Sequence, residues 1–174
     1  MEKEYFPVTE CLEVCRAMKN ERGEAVLLKR EGQYMPAIRQ YLGMIDKIDL
    51  AVLLDNMCRI EPNKDIQRSE AWDFGTVSAF DTGLGSFDDN LEKACKIAEK
   101  KENGYNVTGD DGWFSILDFL QNFSVMAHIK VNEVLQRNDK KKSLFDRAAT
   151  ISKETHVERL KDFVSQRINY ILKK

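Results

Sequence analysis

The 174 residues suit one domain of ordinary size. With 43% hydrophobic and 32% charged side chains, the composition excludes a disordered acidic chain and a membrane-embedded one. Net charge is −2, so it names no partner; residues 1–90 carry 11 Lys/Arg against 17 Asp/Glu, and residues 91–174 carry 16 against 12. A surface polarised in that way can orient a partner without identifying it.

The opening "MEKEYFPVTE" is charged and has no apolar core of a secretory signal, which points to a protein that is not exported. A first helix is expected from Pro7 or Thr9, with Cys11, Leu12, Cys15 and Met18 on one stripe and Gly23 as its terminating glycine. "EAVLLKREGQYM" reads as a short helix broken at Gly32 or as a two-strand turn around "REGQ", with the helix favoured because Glu, Ala, Leu, Lys and Arg are good helix formers. Pro36 suits the first turn of the next, which turns Ile38, Tyr41, Leu42 and Ile45 inward. Asp46 is expected to cap a further helix whose apolar face is Leu50, Leu53, Leu54 and Met57.

Periodicity is lost from Glu61 to Gly85, which reads as one long irregular segment bearing Trp72, Phe74 and Phe80. It ends in Asp81-Thr82-Gly83, the tripeptide that holds the catalytic carboxylate of aspartic proteases. That chemistry needs two carboxylates sharing a proton. Here the tripeptide instead feeds a turn and a capping box, Ser86 with Asp89, at the start of a helix that Asn103-Gly104 would stop.

Residues 108–139 read as one long helix capped by Thr108, Asp110 or Asp111 and apolar nearly all round, which places it at the centre of a bundle. Asp118, Gln121, Asn122, His128 and Lys130 within it are too costly in hydrocarbon for a membrane span. His128 is expected as a hydrogen-bonded core or boundary histidine. Trp113, Ile116, Phe119, Val125 and Met126 give the run a resemblance to the central hairpin helix of the apoptosis-regulator bundles, although Phe114 and Ser115 stand where that family has its glycine and ligand-pairing arginine. The resemblance implies at most a groove that captures an amphipathic partner helix, and no site residue is carried over from it. In the last third, Arg137, Lys140, Lys141 and Lys142 form a basic cluster, followed by a stripe of Val157, Leu160, Val164, Ile168 and Ile171 that is out of phase with the residues before Ser152.

Together these readings predict an all-α fold: a single helical domain over residues 1–174, a bundle of about six to eight helices around a central apolar helix. Cys11, Cys15, Cys58 and Cys95 lie in predicted helices without a Cys-x-x-Cys, as expected of buried thiols in a reducing, cytoplasmic or otherwise intracellular compartment. No cofactor and no metal set is expected. Because no phosphate loop, dinucleotide fingerprint or nucleophile–base pair is present, the sequence favours a non-enzymatic module that binds another protein, with Trp72, Phe74 and Phe80 as candidate contacts and a homodimer as one form of it. The alternatives are a nucleic-acid-binding module using Arg137, Lys140, Lys141 and Lys142, and an enzyme assembled from scattered polar groups such as Asp81, Asp110, Asp111, Asp118 and His128.

Overall fold

A computed structural model describes residues 7–59, 83–138 and 153–173. Trp72, Phe74, Phe80, Asp81, Lys140, Lys141 and Lys142 lie outside the described residues. The fold is all-α. Among the described residues there are eight helices: α1 (Val8–Ala17), α2 (Glu21–Arg30), α3 (Tyr34–Asp46), α4 (Leu50–Arg59), α5 (Gly83–Ala98), α6 (Asp111–Val125), α7 (Ala127–Asn138) and α8 (Lys153–Leu172). One hairpin of β1 (Lys101–Glu102) and β2 (Tyr105–Asn106) interrupts them. None of these helices is long and apolar enough to cross a membrane.

The chain divides into two compact units, Met1–Lys47 with Asn90–Ile116, and Ile48–Asp89 with Leu117–Lys174. In the first, α2 packs against both α1 and α3. The stripe expected on α3 is its core: Ile38, Tyr41, Leu42 and Ile45 are all buried, with Ala25, Leu27 and Leu28 of α2 buried as well. Both interhelical turns close in the same way. The amide of Asn20 bonds the Cys15 carbonyl and that of Lys19 bonds Arg16; the amide of Gln33 bonds Leu28 and that of Gly32 bonds Lys29. Each pair is a Schellman closure around a left-handed residue, Gly32 at φ 75° in one turn and Lys19 at φ 54° in the other.

Lys19 thus terminates α1, and the expectation for Gly23 is corrected: it lies in the first turn of α2, where its amide donates to the Asn20 side chain at 3.0 Å. Asp46 is the last residue of α3 rather than a cap, and it is Asp49 whose carboxylate accepts from the Ala51 amide ahead of α4. Asn103-Gly104 does not stop a helix either. Both residues have positive φ, 53° and 84°, and form the two-residue turn that pairs Lys101 with Asn106 and Glu102 with Tyr105.

The first turn of α6 lies close to the end of α5. A Cβ at Gly112 would stand 2.9 Å from Thr108 Cβ and 3.3 Å from Ala98 Cβ, while one at Gly43, in the middle of α3, meets nothing within 4 Å. Gly112→Ala is expected to destabilise by about 1–3 kcal/mol through overpacking. Gly43→Ala is expected to stabilise by about 0.5–1 kcal/mol through helix propensity. Melting temperatures of the two variants should move in opposite directions.

In the second unit, α7 packs against α4 and α8. Leu53 and Leu54 of α4, Val131 and Val134 of α7, and Val157, Leu160, Val164 and Ile171 of α8 are buried, so the C-terminal stripe is the core face. The expected break near Ser152–Thr155 turns on residues 144–151, which lie outside the described residues. α5 already includes residues 83–85, so Ser86 lies inside the helix and the capping box does not form. The single long helix expected over 108–139 is two, separated at Met126. Nor is it apolar-buried all round: Phe114, Val125, Met126 and Ile129 are exposed.

Three aromatic rings anchor this core. Phe87, wholly buried, meets Phe123 at 5.6 Å and Phe163 at 5.0 Å between centroids, both edge to face. Beside them lies a buried ion pair. Arg167 donates to both carboxylate oxygens of Asp88, from Nε at 3.2 Å and Nη2 at 3.1 Å, and from Nη1 to the Phe163 carbonyl at 3.0 Å. The guanidinium carbon lies 3.3 Å from the centroid of the Phe163 ring. Burial pushes the Asp88 carboxyl up and the Arg167 guanidinium down, each partly offset by the other's charge.

His156, in the first turn of α8, is wholly buried, and burial together with the Arg159 charge pushes its imidazole below its usual value. The folded state therefore takes up this proton less readily than the unfolded one. The corresponding stability is complete above about pH 6.5 and is lost as pH falls below it. Wild type should lose melting temperature between pH 7 and pH 5 more steeply than His156→Gln, measured by thermal melts.

Candidate functional site

Where α1 meets α2, three local features create an open apolar groove. Asn20 caps α2 and fixes where its first turn begins. Gly23 lets the helices approach: a Cβ there would stand 2.8 Å from Cys15 Sγ and 2.9 Å from Asn20 Nδ2. An Arg16–Glu24 pair at 2.8 Å spans the two helices, and Gln40 of α3 donates to the other Glu24 oxygen at 3.1 Å.

The groove encloses about 600 Å³ and is lined by Cys11, Val14 and Cys15 of α1, by Asn20, and by Arg22, Gly23, Val26, Leu27 and Arg30 of α2. Val14 and Val26 are 56% and 45% exposed, although both are β-branched apolar side chains that would gain by burial. Arg22 and Arg30 are its only charged lining residues among those described. Cys11 and Cys15 are free thiols and half-buried. This corrects the expectation that they are core thiols like Cys95, which is buried. Met18, expected on the same stripe, is exposed.

Lys100 and Tyr34 both bond Glu102 Oε1, at 2.6 and 2.8 Å, and Lys100 Nζ stands 4.5 Å from the centre of the Tyr34 ring, which ties the hairpin to the start of α3. The hydrogen bonds to Glu102 and Tyr34 hold the Lys100 ammonium above its usual value.

Asp110 and Asp111 are exposed at the start of α6, where the Asp110 carbonyl accepts from Phe114. Asp118 is exposed and accepts from Asn122 at 3.1 Å. His128 is exposed, which corrects the core reading, and its Nε2 stands 3.3 Å from Lys161 Nζ. Among the described residues no group of three or more His, Cys, Asp or Glu side chains is placed to hold a metal ion. Of the basic cluster, only Arg137 is described, exposed in the last turn of α7.

Sequence reasoning passed over the groove because Gly23 reads equally well as a helix stop. The available signal was Asn20 three residues ahead of Gly23, a cap spacing. No family model, no curated protein and no solved structure matches the chain.

Proposed function

We propose that the chain is a non-enzymatic protein–protein interaction module, acting as an adaptor, an inhibitor or a complex subunit, and that the groove between α1 and α2 receives one amphipathic helix of a partner protein with acidic flanks. The observation that carries this reading is the lining itself. Exposed Val14 and Val26 stand on an apolar trough, and the charges beside it are two arginines. Such a trough suits the apolar face of a helix anchored at i, i+3 and i+4. Arg22 and Arg30 favour carboxylates on either side of that face. A reducing, intracellular compartment fits the reading, because it keeps Cys11 and Cys15 as thiols at the contact.

The test begins with tagged full-length protein recovered from its host after nuclease treatment; each protein that accompanies it is then purified and titrated. Val26→Glu places a like charge against the proposed acidic helix and is expected to weaken its binding about 30-fold or more. Its melting temperature should hold, as for other exposed substitutions. Equal affinity of Val26→Glu and wild type overturns the groove reading. Loss of binding in a Trp72→Ala, Phe74→Ala variant instead would assign the contact to that aromatic segment. Partners lost on nuclease treatment would favour nucleic-acid binding through Arg137, Lys140, Lys141 and Lys142, and a second copy of the chain as the only companion would make the contact a homodimer.

A further inference from the structure

Cys11 and Cys15 stand one helical turn apart on α1, and both line the same groove as half-buried free thiols. Side chains at this spacing have Cβ atoms about 5–6 Å apart. A disulfide needs about 3.8 Å, so α1 would have to unwind to form one. A linear two-coordinate ion with metal–sulfur bonds of about 2.3 Å holds its sulfurs about 4.6 Å apart. Two thiols four residues apart reach that separation by side-chain rotation, with the helix intact.

We propose that Cys11 and Cys15 bind a single copper(I) ion as a linear bis-thiolate. Each thiol loses its proton to solvent and forms one sulfur–copper bond; no electron is transferred, and the complex carries one negative charge. The lining supplies no carboxylate or imidazole among the described residues, and no third ligand group assembles there. That selects against zinc, which takes four ligands, and for a soft monovalent ion satisfied by two thiolates. Val14, Val26 and Leu27 line the groove with apolar surface, and Arg22 and Arg30 in the lining offset the charge of the complex. The inference rests on the thiol pair and not on the docking reading: copper(I) binding is read on the chain alone, without a partner protein, so failure of either leaves the other standing.

The experiment is an anaerobic titration of the full chain with copper(I) in competition with a chromophoric copper(I) chelator. One ion per chain is expected to bind in preference to the chelator. Cys11→Ser and Cys15→Ser should each weaken it at least about 100-fold, more than loss of a supporting residue around a metal costs. Cys58→Ser and Cys95→Ala should leave it unchanged. X-ray absorption on the wild-type complex reads the same question without any variant, with two sulfur neighbours and no nitrogen expected. Copper(I) retained by Cys11→Ser, lost only with Cys58→Ser, or bound through nitrogen overturns the proposal.

Discussion

Arg167→Met is expected to lower stability by about 3–5 kcal/mol, the cost of leaving a buried carboxylate without its partner. For a chain of this length that is a fall in melting temperature of about 6–20 °C. The geometry makes the cost large. Asp88 and Arg167 are both almost wholly buried, and two parallel N–H···O bonds at 3.2 and 3.1 Å join them. Methionine retains much of the packing of the arginine stem on Phe163 and removes the charge. The Asp88 carboxyl then feels burial without the opposing guanidinium, and burial already pushes it above its usual value.

The sign of the pH dependence follows from that shift. A carboxyl with a raised folded-state pKa binds its proton more readily in the folded chain, so Arg167→Met should regain stability as pH falls through that value. A buried pair is dispensable where a single charge is not, so adding Asp88→Leu to Arg167→Met should recover most of the loss. Urea unfolding of the two single variants and the double variant at two pH values checks all three outcomes. Equal destabilisation by the single and double variants would show that packing, and not charge, sets the effect.

Phe87→Ala should cost about 3–5 kcal/mol, as truncation of a wholly buried aromatic leaves a cavity. Phe87→Leu keeps most of the volume and should cost about half as much, the remainder being the two edge-to-face contacts with Phe123 and Phe163. Phe163 is shared, because its ring also stacks against Arg167. Phe87→Ala and Arg167→Met should therefore be non-additive, with a coupling of about 0.5–3 kcal/mol in a double-mutant cycle.

Helical periodicity made the core faces legible. Ile38, Tyr41, Leu42 and Ile45 on α3, and Val157, Leu160 and Val164 on α8, are where a 3.6-residue repeat puts them. The ends of helices were less legible, since Gly23 and Asp46 are each compatible with a cap, whereas Lys19 closes α1 and Asp49 precedes α4. The hairpin escaped because strands of two residues are too short to show alternation. Periodicity also says nothing about which side of an apolar helix a neighbour covers. Phe114, Val125 and Ile129 belong to the run that is apolar nearly all round, and they are exposed. Asp88 and Arg167 lie 79 positions apart in the chain, and no local pattern pairs them. The groove depends on the close approach of α1 and α2 at Gly23, a tertiary fact that the composition of either helix does not contain.

The most direct test of the docking surface is amide hydrogen exchange of the full chain with and without the purified partner. The account predicts slowed exchange across α1 and α2, from Cys11 to Arg30. Unchanged exchange there, with protection confined to residues 60–82 or 137–142, would contradict it.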